Sequence, residues 1–269
     1  MTLTKRSSDG YITFTEDSHS YISADGEKYT SVTTLLGKLF PPFNAKEIAK
    51  KKADFQKLLN GRKWKKGETV SELEQQQATQ KHWLNEWKEA ANHGTRCHNA
   101  LENYCNGQPD TSGLKEERDH KKYEQGVKAI EWRVEELGLS KEDIKWETEV
   151  IVYNKELLVA GQVDLVARVG GKAFILDWKT SKKISMEGYK GKKGISPITS
   201  HLDSCEYIKY SLQLGVYKRM KELKGEDIGE CYIVHLLEDD FEIYQCKDLS
   251  KEIDDLFTTR KEELQKQKL

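Results

Sequence analysis

Residues Gly161 to Thr180 read GQVDLVARVGGKAFILDWKT. Apolar stretches flank Gly170-Gly171, and each carries one acid, Asp164 and Asp177, with Lys179 two places further on. Two consecutive glycines accept the positive φ of a two-residue hairpin turn, so the stretch predicts an antiparallel hairpin. Counting outward pairs Val169 with Lys172, Ala167 with Phe174, Leu165 with Leu176 and Asp164 with Asp177. Directly opposed residues have Cβ atoms about 4.5–5.5 Å apart, and like charges there repel. Two carboxylates so placed need a cation between them. Lys179 shares the face of Asp177, because side chains alternate along a strand. A bulge at the double glycine would shift the register by one and part the two acids.

The preceding strand extends the pattern. A turn around Asn154-Lys155 pairs Glu149 with Ala160 and Glu147 with Gln162. By parity Glu147, Glu149, Gln162, Asp164, Asp177 and Lys179 share one face. Val163, Leu165, Ala167, Phe174, Leu176 and Trp178 lie on the other, a candidate core. A solvated polar face is the simpler reading, but Val166, Ala173 and Ile175 lie on the acidic side. Few hard oxygen ligands with room for water suit Mg²⁺ or Mn²⁺ rather than zinc. Such an ion binds a phosphate oxygen and acidifies water, and a neighbouring lysine offsets transition-state charge. The chemistry this face fits best is metal-assisted phosphodiester hydrolysis.

The chain has 269 residues, enough to bury a substantial core. Charged residues make up 33% of it but the formal net charge is only -1, so any nucleic-acid surface must be local. No apolar run reaches about 18 residues, so no membrane span is expected. The opening MTLTKRSSDGYITF has no signal-peptide core. Cys97, Cys105, Cys205, Cys231 and Cys246 form no CxxC pair, which fits reduced thiols and a cytoplasmic location, in a bacterial or phage-infected cell.

Asp25-Gly26 marks an N-terminal hairpin, and a Ser/Thr-capped helix is expected near Ser31. Residues 46 to 137 read mostly helical, with breaks near Gly61, Gly67, Gly94 and 107 to 113. Trp83, Trp87, Ala90 and Ala91 recur at helical spacing. Strands run from Lys145 to Trp178, a Gly/Lys/Ser-rich loop spans 180 to 200, and a helix covers 205 to 224. Short strands at 230 to 237 and 241 to 246 precede a terminal helix at 249 to 266. The expected architecture is an α/β fold with a mixed central sheet flanked by helices. It comprises an N-terminal hairpin and start of the helical region (1–45), a helical subdomain including the His98 helix (46–137) and a core with its C-terminal helix (138–269), integrated as one domain.

Asp164, a short gap, then Asp177-Trp178-Lys179 resembles the PD-(D/E)XK nuclease signature. AGQVDLVAR followed by ILDWKTSK resembles its RecB-like exonuclease branch, which includes phage-type and mitochondrial genome maintenance exonucleases. AANHGTRCHNALENY resembles the upstream helix whose histidine, here His98, joins the metal site. YSLQLGVYKRM resembles the downstream motif carrying Gln213 and Tyr217. The match covers roughly residues 80 to 245, and the proline of the nominal signature is Val163 here. The resemblance implies a restriction-endonuclease-like fold. It implies Mg²⁺ or Mn²⁺ held by His98, Asp164, Asp177 and the Trp178 carbonyl, with Lys179 at the attacking water. Some members carry a four-cysteine iron–sulfur cluster; that spacing is missing, so no cluster is expected. The expected activity is that of a DNA exonuclease acting on single strands or DNA ends and leaving 5′-phosphates. The rivals are a flap or junction endonuclease and a non-catalytic DNA-binding module of the same fold.

Other residues carry two readings each. Glu149 is a base or an outer partner of the metal through water. Glu102, four after His98, either holds the imidazole or pairs with a lysine. Gln213 and Tyr217 brace Lys179 or contact a phosphate, or else belong with Tyr210 and Leu214 to a packing stripe. Lys182, Lys183, Lys190, Lys192 and Lys193 directly follow the triplet, placed for a DNA backbone or as solvated surface. Lys50 to Lys52, Arg62-Lys63 and Lys65-Lys66 are further basic clusters. Phe55, Trp64, Trp83 and Trp87 either stack on unpaired bases or form the helical subdomain's core.

Overall fold

The computed structural model describes residues 4–51 and 72–267. It divides into two compact units, Met1–Pro41 with Arg96–Leu269, and Pro42–Thr95. The larger unit is built on a nine-stranded mixed sheet. Its N-terminal part is a meander of β1 (Thr4–Arg6), β2 (Ile12–Thr15), β3 (Ser20–Ser23) and β4 (Lys28–Ser31), all antiparallel. Gly26, at φ 84°, turns β3 into β4 as the Asp-Gly pair predicts. The Ser31 side chain then accepts from the Thr34 N–H and caps helix α1 (Val32–Gly37).

The central strands are β5 (Lys145–Asn154), β6 (Val159–Val169), β7 (Lys172–Lys179), β8 (Ile228–Leu236) and β9 (Phe241–Gln245). β5, β6 and β7 are antiparallel neighbours; β8 runs parallel to β7 and β9 antiparallel to β8. β4 pairs in parallel with the start of β6. The helices are α2 (Glu72–Cys105), α3 (Glu117–Glu136), α4 (Glu206–Glu222) and α5 (Ser250–Lys266).

Both faces of the sheet are packed. On one, Leu165, Ala167, Trp178 and Val234 meet Leu101 of α2 and Ala129, Ile130 and Val134 of α3. On the other, Val166, Ala173 and Ile175 meet α1, α4 and α5 through Leu35, Leu212, Val216 and Leu256. This corrects the expectation of one packed and one polar side: Val166 and Ile175, on the acidic face, are 0% exposed. Strands covered on both faces need apolar residues on both, which is why the stretch reads as nearly continuous. Val163, expected on the opposite face, packs with Val166 here.

In the smaller unit, a helical segment at 45–51 and part of α2 are described. The Trp87 ring lies 5.5 Å from Phe43 and 6.3 Å from Trp83. Gln80 donates to the Lys46 carbonyl at 3.3 Å. Helix α2 runs through Gly94, where a break was expected; one glycine costs a helix only about 1 kcal/mol, too little to stop it. The helix ends at Cys105, and Gly107 follows at φ 72°. Lys52, Phe55, Gly61, Arg62, Lys63, Trp64, Lys65, Lys66 and Gly67 lie outside the described residues. No helix among the described residues is long and apolar enough to cross a membrane.

Candidate metal centre

The β6–β7 turn has the predicted form. Gly170 and Gly171 sit at φ 57° and 88°, and the register runs from Val169↔Lys172 to Leu165↔Leu176. The Leu165↔Leu176 pair ends the ladder, and Asp164 and Asp177 lie just beyond it, close enough for the Asp164 charge to raise the Asp177 pKa. Asp164 Oδ2 accepts the Trp178 N–H at 3.0 Å and lies 3.3 Å from His98 Nδ1. His98 comes from the last turns of α2. Asp177 is 3% exposed, and its Oδ2 touches the Lys179 ammonium without accepting a hydrogen bond of normal geometry. The ammonium also stands 4.4 Å from the centre of the Tyr210 ring. His98, Asp164, Asp177 and Lys179 are thus gathered at one strand end.

Burial pushes the Asp177 carboxyl above the usual carboxylate range and Asp164 adds to the rise, while Lys179 opposes it. Burial works against the Lys179 charge, but Asp177 and Asp164 outweigh it and hold that pKa above the ordinary lysine value. The site is two carboxylates, one with the Lys179 ammonium against it and the other with the His98 imidazole. The Asp164 charge raises the Asp177 pKa, a repulsion that a further cation would relieve.

The β5–β6 register differs from the expected one. Thr148 pairs with Leu165 and Val150 with Val163, so Glu149 faces Asp164 instead of Ala160. The turn spans residues 155–158, longer than the Asn154-Lys155 bend allows. Glu149 itself drops out of the ladder at φ 52°. Burial and the Asp164 charge push its pKa up to about 7, against the pull of Lys5. Lys5 stands 3.3 Å from Glu149 Oε2 and 3.3 Å from Glu102 Oε2. Glu102 thus takes the lysine of its two expected partners. Glu147 bonds Arg168 at 3.0 Å and Lys145 at 2.7 Å.

Gln213 donates to the Tyr217 hydroxyl at 3.1 Å. The Tyr217 ring is buried against Gly161, where a Cβ would come within 2.4 Å of it. Both residues stand on α4 with Tyr210, and it is the Tyr210 ring that the Lys179 ammonium approaches. Lys182, Lys183, Lys190, Lys192 and Lys193 are exposed in the loop after β7. Lys193 pairs with Asp203 at 2.9 Å; the other four have no ion pair among the described residues. An apolar cavity of about 260 Å³ lies between α3 and the sheet, and of the candidate residues only Trp178 lines it. Neither His98, Asp164, Asp177 nor Lys179 borders it.

Two neighbours of the centre escaped the sequence reading. Lys5 belongs to a short N-terminal strand with no motif around it. Tyr210 was visible only as part of a helical stripe; its position four and seven residues from Leu214 and Tyr217 hid it among core residues.

No family profile matches the chain, and no curated protein matches it in sequence. Among solved structures, the crystal structure of SSO0001 is similar over 54% of this chain and 65% of that one, at 17% identity and a TM-score of 0.25. The chain therefore spans just under two thirds of that protein's length.

Proposed function

We propose that the protein is a metal-dependent DNA exonuclease of the PD-(D/E)XK type, engaging single strands or DNA ends and leaving 5′-phosphates. The finer reading of the fold belongs to the same proposal: an antiparallel β5–β6–β7 meander followed by parallel β8 as a restriction-endonuclease-like core. The observation that carries it is the meeting of Asp164, Asp177, His98 and Lys179 at one strand end.

The donor set fits Mg²⁺ or Mn²⁺: two carboxylates and an imidazole, with no thiolate among them. His98, Asp164 and Asp177 would hold the ion, with the Trp178 carbonyl as the fourth ligand the family pattern adds. Bound there, a divalent ion neutralises phosphate charge and acidifies water. Hydrolysis adds water oxygen to phosphorus and breaks the bond to the leaving 3′-oxygen. Lys179 faces the phosphate with a full positive charge and orients the water; the Tyr210 ring holds its ammonium in place. The Trp178 N–H fixes one Asp164 oxygen, leaving the other for the metal. Glu149 stands behind Asp164 as an outer partner through water. Lys182, Lys183, Lys190 and Lys192 offer charge to the DNA backbone, with Lys193 shared with Asp203.

End-labelled single- and double-stranded DNA incubated with Mg²⁺, Mn²⁺ or EDTA and resolved by product length tests this reading. Stepwise shortening that EDTA stops is the expected result. Cutting of circular single-stranded DNA would instead mark an endonuclease. Tight binding with no cleavage under either metal would leave a DNA-binding module.

A further inference from the structure

Strand β7 ends at Lys179, and the next two backbone carbonyls are each held by a buried basic side chain. Lys122 of α3 donates from Nζ to the Thr180 carbonyl at 2.6 Å. His235 of β8 has Nε2 at 2.8 Å from the Ser181 carbonyl and Nδ1 at 2.9 Å from Glu242 Oε2. Lys122 is 6% exposed and His235 1%. Neither side chain belongs to the candidate metal centre.

The His235 contacts fix more than its position. A carbonyl and a carboxylate are both acceptors, whereas a neutral imidazole has one donor and one acceptor nitrogen. The ring satisfies both neighbours only when both nitrogens carry protons. Glu242 is the counter-charge, and it also accepts from the Tyr244 hydroxyl at 2.6 Å. Lys122 has no carboxylate within ion-pair distance among the described residues, so its buried charge is balanced by the Thr180 carbonyl dipole. Desolvating two cations is costly, and hydrophobic residues would fill these positions at lower cost. What the cations add is a rigid exit from β7. In the parallel β7–β8 ladder His235 pairs with Lys179, so the ring reaches past that residue to the carbonyl two places beyond it.

We propose that His235, as an imidazolium, and Lys122 form a positioning clamp that holds Lys179 on Asp177 and sets the direction of the lysine-rich loop that follows. The clamp's catalytic consequence rests on the nuclease reading; the clamp itself does not. Outer residues that orient a site by hydrogen bonds commonly change activity by about 10–100-fold when removed. His235→Gln keeps a neutral donor for Ser181 but not the charge. Lys122→Met keeps the stem but not the ammonium.

Nitrogen NMR of the wild-type imidazole is expected to show two protonated nitrogens on His235 at neutral pH, and the Lys179 ammonium resonance is expected to move in His235→Gln. In DNA cleavage, His235→Gln and Lys122→Met are each expected to lower kcat about tenfold or more with KM little changed, and Lys122→Arg to recover most of the loss. A merely structural role would lower the folded fraction but leave kcat per folded molecule and the Lys179 resonance as they are. A single ring proton on His235 overturns the proposal, as does an unmoved Lys179 resonance or wild-type kcat in both variants. Should the wild-type chain cleave no DNA, the nuclease reading falls alone and the two NMR readouts decide the clamp. Should His235→Gln fail to fold, Lys122→Met carries the Lys179 readout.

Discussion

The β6–β7 hairpin closes through Gly170 and Gly171, whereas the β5–β6 hairpin closes through residues 155–158. Both use β6, and each brings one acid to Asp164. In the tight hairpin the turn alone sets the register, since two residues at positive φ leave one way to pair the strands. Asp177 therefore arrives beside Asp164. In the longer one Leu158 takes φ 49°, Leu157 is fully buried and Arg260 of α5 donates to the Leu157 carbonyl at 3.1 Å. The register there follows from packing against distant elements. Glu149 faces Asp164 as a result, in a left-handed conformation that no local sequence signal announces. Short-range chemistry thus places the acidic pair, and long-range packing places the residue behind it.

The sharpest way to break this contrast is at the tight hairpin's charged end. Lys179→Ala is expected to lower metal-dependent cleavage about 10²–10³-fold, the usual loss when an oriented charge at the reacting phosphate is removed. Asp177→Ala is expected to reduce it to background, with circular dichroism showing a retained fold. Initial rates on end-labelled DNA measure both; cleavage at the wild-type rate in either variant would remove these residues from the chemistry.

At the start of β6, where Gly161 pairs with Val152 of the long hairpin, Gly161 packs against Tyr217. Gly161→Ala sets a methyl within 2.4 Å of a buried ring, and the overpacking is expected to cost about 1–3 kcal/mol in urea unfolding. An unchanged midpoint would mean that the ring moves aside freely. Glu149 offers a smaller test of the long hairpin. Its φ of 52° favours glycine, so Glu149→Gly is expected to be about 1 kcal/mol more stable than Glu149→Ala. Equal stability of the two would show the residue relaxes into the ladder.

The smallest effect concerns the acid that anchors the end of β5. Burial pushes Asp9 up, but hydrogen bonds from Ser7, Tyr153 and the Tyr11 N–H, with Lys224 nearby, hold its pKa down to about 2. A folded pKa below the unfolded value means the contribution is complete above the ordinary aspartate range and fades as pH falls toward 2. Asp9→Asn is expected to flatten this part of the acid-unfolding curve; an identical curve would show that Asp9 adds nothing.

Much of the candidate site was legible because its parts are local. Asp164, Asp177 and Lys179 follow from one glycine turn and strand alternation. His98 came from motif order, and the structure sets its Nδ1 3.3 Å from Asp164. The idea of a polar sheet face failed because periodicity near Val166 and Ile175 does not report what lies above the sheet. Lys5, Tyr210 and His235 were invisible as partners because each reaches the strand end from a remote element.

What the sequence by itself determined is the hairpin: two glycines, two strands and the opposition of two acids, since these depend on φ, alternation and a turn too short for choice. What only the tertiary structure decided is the company those acids keep. Burial of both sheet faces, the displaced β5, the Tyr210 ring under Lys179 and the Lys122–His235 grip all come from segments far apart in the chain. Such contacts become favourable only once the core has closed, because the burial that drives them is non-directional and leaves no periodic trace in any one segment.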